Sequence, residues 1–248
     1  TERLAILAAV RQAGERGLDD LCWDLAVSSA PLFEVGVHHD DWAETHACAL
    51  AATRRAGNRR GEGAVLTELG ELRLGQHRYD EAADLLTTSE RILAELPDRH
   101  GRAIALHKLG ILDRVRGRFQ AALSKFNEGA AVFREVGDLG SEVLALRNAG
   151  QVCLEAGDPR RAKTYLEASL AVAEQAGERL YAQVLYRLGE LHLESGDVPA
   201  AELALTRVLD LTRGFADRPG EAWALLGLGR AQLARDRFAE AEVRLTDA

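Results

Sequence analysis

Methionine is absent from all 248 residues, position 1 included, and aromatic side chains make up only 5% of the chain. Cysteine occurs three times, at Cys22, Cys48 and Cys153. An odd number at wide spacing argues against a disulfide framework or a zinc motif, so the three read as small buried hydrophobes. No apolar run reaches the ~18 residues that suggest a membrane span, and no basic-then-apolar leader opens the sequence. The chain is therefore expected to be soluble and cytoplasmic. Positive charge is also in deficit, with 31 Lys and Arg against 39 Asp and Glu and a net charge of −8. That balance disfavours broad contact with nucleic acid or an anionic membrane. The missing methionine, and a final segment FAEAEVRLTDA that stops partway through a helical pattern, read as a piece of a longer protein.

What the sequence does have is a repeat. Gly70, Gly110, Gly150, Gly189 and Gly229 follow one another at spacings of 40, 40, 39 and 40, and Ala82, Ala122, Ala162, Ala201 and Ala241 run 12 residues behind them. Two ladders in step at this period mark stacked supersecondary units that cannot bury their apolar faces alone. Glycine inside a helix costs about 1 kcal/mol relative to alanine, so five at equivalent places need a steric cause. Close approach of neighbouring helices is that cause, with the alanine at the crossing.

The pattern predicts an all-α fold, an α-solenoid of antiparallel helix pairs with about 12–13 helices in all, which the family resemblance described below implies to be a right-handed α-solenoid. First helices are expected near 60–75, 100–116, 140–156, 179–195 and 218–235, with partners near 79–96, 119–136, 159–176, 198–215 and 238–248. Before them stand a helix over 2–16, a segment over 18–37 that Pro31 is expected to kink or break, and a partner capped by Asp40 or Asp41. Trp42 falls on the alanine ladder, so this opening pair reads as a degenerate copy. Residues 1–57 are taken as N-terminal helices with a capping repeat, and 58–248 as five hairpins, the last truncated.

The order Leu69-Gly70, then Tyr79-Asp80-Glu81-Ala82 and Leu86, resembles the tetratricopeptide repeat. Phe119-Gln120-Ala121-Ala122 with Phe126, and Phe238-Ala239-Glu240-Ala241 with Leu245, repeat it. The stretches LAAVRQAGERGLDDLCWDLA and HHDDWAETHACALAATRRAGNRRGEG, with joints such as Asp217-Arg218-Pro219-Gly220-Glu221-Ala222, further resemble the C-terminal repeats of large actinobacterial antibiotic-regulatory activators. In that family a winged-helix DNA-binding part and a STAND-type ATPase part precede the repeats. No G-x-x-x-x-G-K-[ST] phosphate loop occurs here, so neither ATP nor another cofactor is expected.

The resemblance implies a binding module that takes a peptide or protein along its first helices, in a concave groove. The family's ligand-facing positions fall on Thr67, Glu68, Glu71 and Leu74; on His107, Lys108, Ile111 and Arg114; and on Arg147, Asn148, Gln151 and Leu154. They continue at Tyr186, Arg187, Glu190 and Leu193, then Leu226, Gly227, Arg230 and Leu233. The donors among them, Lys108, Arg114, Arg147, Asn148, Gln151 and Arg187, suit a carboxylate or an acidic peptide, although they do not match the carboxylate clamp of chaperone-binding members residue for residue. The alternative is that these are solvated helix residues paired along their own helices.

No catalytic nucleophile motif accompanies the histidines, and His38-His39-Asp40-Asp41 reads as a capping loop rather than a metal site. The implied function is signal sensing within a multidomain transcriptional activator, the partner being another protein or the activator's own ATPase part. A scaffold without a transcriptional role predicts the same fold, and self-association through the end near Ala248 is a third possibility.

Overall fold

The computed structural model describes residues 2–247, except for the side chains of Val35 and Asp247. Of the end near Ala248, considered for self-association, Ala248 itself falls outside them. Among the described residues there are thirteen helices and no strand. They form two compact units, Thr1–Val132 and Phe133–Ala248.

The first unit holds α1 (Glu2–Glu15), α2 (Asp19–Val35), α3 (His39–Ala56), α4 (Arg59–Gly75), α5 (Tyr79–Ala94), α6 (Arg99–Val115) and α7 (Phe119–Val136) as far as Val132. The second holds α8 (Leu139–Glu155), α9 (Pro159–Ala176), α10 (Glu178–Glu194), α11 (Val198–Gly214), α12 (Arg218–Leu233) and α13 (Phe238–Asp247). Within each unit neighbouring first helices pack on one another, and α2, α4, α8, α10 and α12 each pack on their own partner. The rows are α2, α4 and α6 in one unit and α8, α10 and α12 in the other.

Four of the first helices, α4, α6, α8 and α12, also start alike, whereas α10, with Gly177 as its N-cap, has no side-chain cap. Asn58, Asp98, Asp138 and Asp217 each accept the backbone N–H three residues on, at 2.8, 2.8, 3.0 and 3.1 Å. Such caps satisfy a donor that the helix itself leaves open. Second helices are tied back by serine: Ser89 donates to the Gly63 carbonyl at 2.7 Å and Ser169 to that of Val143 at 2.9 Å.

The glycine ladder has a more specific partner than a bare backbone crossing. A Cβ on Gly70 would stand 2.5 Å from Leu86 Cγ, one on Gly110 2.8 Å from Phe126, and those on Gly150 and Gly189 2.9 Å from Leu166 and Leu205. Gly229 meets Leu245 in the same way, at 2.8 Å. Each glycine is thus the floor on which its partner helix sets a large side chain, four residues beyond the ladder alanine. Leu86, Phe126, Leu166 and Leu205 are all buried, as are all five alanines.

The opening hairpin keeps the register with other residues. Ala30 stands at the glycine position, Trp42 at the alanine and His46 at the large side chain, all three buried. The His46 Nδ1 lies 3.0 Å from the Trp42 carbonyl oxygen, and burial pushes its pKa down to about 4, which keeps the ring neutral.

Two expectations need correction. Helix α2 is not broken at Pro31 but runs on to Val35, with the ring at an exposed position. The N-cap of α3 is His38, without a side-chain bond, and Asp40 and Asp41 lie in the first turn, where their charge suits the helix dipole. The three cysteines are free, with Cys22 and Cys153 buried and Cys48 half-buried, and the sulfurs of Cys22 and Cys48 lie 3.7 Å apart.

If the glycine floor sets the packing, Gly70→Ala loses about 1 to 3 kcal/mol despite alanine's better helix propensity. In a double-mutant cycle read by urea denaturation, the same change on a Leu86→Ala background costs little or stabilises. Equal costs in both backgrounds would remove Leu86 as the cause.

Candidate functional site

In the first unit the face of α2, α4 and α6 is acidic. Glu71 on α4 is ion-paired with Lys108 on α6, and the two side chains keep only 19% and 18% of their exposure. Glu68, a turn earlier, is also influenced by Glu34 of α2. Burial, then the negative charge of Glu71, raises Glu68 to about 7; Lys108 opposes this and Glu34 adds to it. Glu34 is itself raised by burial and by Glu71. Three carboxylates thus share one ammonium. Lys108 is neutralised by its neighbour, not held ready for an incoming carboxylate.

Two other expected positions are interior. His107 is 9% exposed, with its ring 5.3 Å from that of Phe126. Thr67 is buried, its hydroxyl 2.7 Å from that of Ser89. Arg114 lies partly buried on α6.

On the corresponding helices of the second unit two arginines, Arg147 and Arg187, come together. Arg147 on α8 is partly buried and donates to the Gln183 side-chain oxygen at 3.1 Å. Burial and the neighbouring positive charge of Arg187 lower its pKa. Arg187 on α10 is exposed, its guanidinium 5.8 Å from the Tyr186 ring centre. Among the described residues neither arginine is paired with a carboxylate. By contrast Arg230 on α12 is bound to both oxygens of Glu190, at 2.9 and 3.1 Å.

The Tyr186 ring faces Trp223 at 6.2 Å between centroids, and Trp223 is 58% exposed. Asn148 is partly buried on α8, and Gln151 spends its amide on Glu155 of the same helix at 3.0 Å. Gly227, mapped to a ligand-facing position, is filled by Leu205, since a Cβ there would stand 2.9 Å from it.

Glu34, Gln183 and Trp223 were missed by the sequence reading. All three had a signal. Glu34 sits four residues after Ala30, the place of Leu74 and Arg114 in later repeats. Gln183 and Trp223 stand one turn before Tyr186 and Leu226, on the same helical stripe.

A cavity of about 280 Å³ lined by Leu93, Arg102, Leu106 and Glu128 contains none of the candidate residues. Among the described residues no group of three or more His, Cys, Asp or Glu is placed to hold a metal ion, and no helix is long and apolar enough to cross a membrane.

The raised Glu68 makes a signed prediction. Its folded pKa of about 7 lies above the ordinary 4.5, so its contribution is fully present below 4.5 and is lost as pH rises through 7. Thermal unfolding at pH 8 is expected to show Glu68→Gln more stable than wild type, by on the order of 1 to 3 kcal/mol, with the difference gone at pH 4.5. A variant less stable at pH 8 would show that the carboxylate makes a needed bond.

Comparison with known proteins adds to this geometry. The family model described as tetratricopeptide repeat matches residues 62–135, 101–175, 141–214 and 180–248. Two curated relatives carry the name Regulatory protein AfsR. The one from Streptomyces griseus is 25% identical over 271 residues, covering 93% of this chain and 27% of the relative. The one from Streptomyces coelicolor is 30% identical over 207 residues, covering 84% and 20%. The chain therefore spans less than a third of the length of either.

Among solved structures, a STAND protein with a tetratricopeptide repeat sensor from Pyrococcus horikoshii aligns with a TM-score of 0.72 at 12% identity, covering 98% of this chain and 38% of that one. The Rap conjugation gene regulator of the plasmid pLS20, solved in complex with a Phr peptide, aligns at 0.63 and 12% identity, covering 98% and 72%. At these identities the likeness is one of fold. With hairpins of forty residues, a glycine floor in each, and a model match running from 62 to 248, this chain belongs to the tetratricopeptide repeat family.

Proposed function

We propose that the chain is a partner-sensing module of a multidomain transcriptional regulator acting in the cytoplasm, and that its Phe133–Ala248 unit takes an acidic peptide or protein segment along α8, α10 and α12. The observation that carries this reading is the arginine pair. Burial and then the charge of Arg187 act against the guanidinium of Arg147, and neither arginine has a carboxylate partner among the described residues. A ligand carboxylate would relieve both at once, by charge-assisted and bidentate bonding. Beside them Tyr186 and Trp223 offer aromatic surface of the kind that anchors partner side chains.

The regulatory half of the reading is supported by the similarity to the AfsR proteins, and by the repeat sensor named in the Pyrococcus STAND protein. The peptide half is supported by the plasmid regulator, whose complex holds a peptide on this fold. The module is read as a binder without catalysis, its partner being another protein or the regulator's own ATPase part. The acidic face of α2, α4 and α6 would repel the same ligand, which confines the binding to the second unit.

The test is calorimetric titration with a glutamate-rich peptide and its glutamine counterpart. Wild type is expected to bind the first, more weakly as salt rises. Arg147→Ala with Arg187→Ala is expected to lose at least about tenfold in affinity, some 1.4 kcal/mol. Equal binding of both peptides, or an unaffected double variant, would overturn the proposal.

A further inference from the structure

We propose that Cys22 and Cys48 form a reversible dithiol–disulfide site that fastens α2 to α3 and, when oxidised, loosens α1. The two sulfurs, 26 residues apart in sequence, lie 3.7 Å from each other. Both thiols point at one acceptor on α1, the Val10 carbonyl oxygen, at 3.5 Å from Cys22 and 3.8 Å from Cys48. Helix α1 covers the pair with bare backbone: a Cβ at Gly14 would stand 2.6 Å from the Cys48 sulfur and 3.4 Å from that of Cys22. Three helices therefore meet at two sulfurs. Neither thiol is used by the binding surface proposed above.

The two cysteines have different surroundings. Cys22 is fully buried, and burial together with Cys48 pushes its pKa up to about 12, so it stays a thiol. Cys48 is partly exposed and is the one a small oxidant meets first. Arg55, whose guanidinium donates to the Gly14 carbonyl at 3.1 Å, places positive charge within electrostatic range of both sulfurs. The same guanidinium is ion-paired with Asp19.

With hydrogen peroxide as oxidant the chemistry closes. The Cys48 thiolate attacks one peroxide oxygen; an S–O bond forms, the O–O bond breaks, and the departing hydroxide takes a proton to become water. Sulfur is oxidised to a sulfenic acid as peroxide is reduced. The Cys22 sulfur then attacks the Cys48 sulfur, the S–O bond breaks, and the hydroxyl leaves with the Cys22 proton as a second water. A disulfide needs the sulfurs at about 2.0 Å, so the side chains must close by less than about 2 Å. Both S–H donors to Val10 are consumed in the process, and α1 loses those contacts. A cross-link between neighbouring helices also constrains the unfolded chain.

The test is thiol mapping of the chain after peroxide treatment, by alkylation, proteolysis and mass spectrometry. A peptide linking Cys22 to Cys48, with Cys153 still open to alkylation and the link reversed by dithiothreitol, is expected. Hydrogen exchange of residues 2–15 should rise in the oxidised wild type and stay unchanged on treating a Cys22→Ala, Cys48→Ala variant. If that variant folds poorly, the wild-type map decides alone. Both thiols remaining open to alkylation, or Cys48 oxidised beyond sulfenic acid without a cross-link, would overturn the site. A cross-link with unaltered exchange in 2–15 would overturn the coupling to α1.

Discussion

A glycine on one helix and a leucine or phenylalanine standing on it from the next is the contact on which the rest of this structure depends. It recurs from Gly70 with Leu86 to Gly229 with Leu245, and at each place a single methyl on the glycine would collide with the larger side chain. Because interiors are packed as densely as organic crystals, such a contact fixes where the partner helix sits to within a fraction of an ångström. The ladder alanine, one turn earlier on that helix, fills the space beside it. Local contacts of this kind make each hairpin a nearly self-specified unit, stabilised in turn by its neighbours.

Fixing the partner helix also fixes what remains on the other side. With one flank of each first helix buried against its own partner, the next first helix packs alongside, and polar residues at equivalent places form a stripe. Within each unit that stripe has its own charge. Glu34, Glu68 and Glu71 crowd around Lys108 in one, while in the other Arg147 and Arg187 stand without a carboxylate among the described residues. Uncompensated charge on a partly buried side chain costs free energy, and that cost is the ground for the acidic ligand proposed at Arg147 and Arg187. Arg230 held by Glu190 shows how the same scaffold neutralises an arginine within itself.

The repeat made the fold legible. A period of forty with two ladders in phase placed the helix pairs over 59–247 to within about two residues at their described ends, within the usual uncertainty of helix boundaries. The stripe was only partly legible, because its positions were carried over from a family pattern that does not see the neighbours. His107 is polar in sequence, yet Phe126 claims its ring for the interior, and Thr67 is likewise taken inward by Ser89. Lys108 is a free donor in sequence alone, yet Glu71 claims it from the neighbouring helix. Trp223 and Gln183 lay one turn outside the pattern, and only the packed row shows that they share its face. The cysteine pair was hidden for a related reason, since a spacing of 26 carries meaning only once α2 and α3 are known to be antiparallel neighbours.

The most direct test of the central functional claim is an amide NMR titration of the chain with a glutamate-rich peptide, repeated with the glutamine analogue. Shifts concentrated on α8, α10 and α12 around Arg147, Gln183, Arg187 and Trp223, seen with the acidic peptide alone, are the expected result. Shifts spread over the second helices, centred on the acidic face of α2, α4 and α6, or equal for the two peptides, would contradict it.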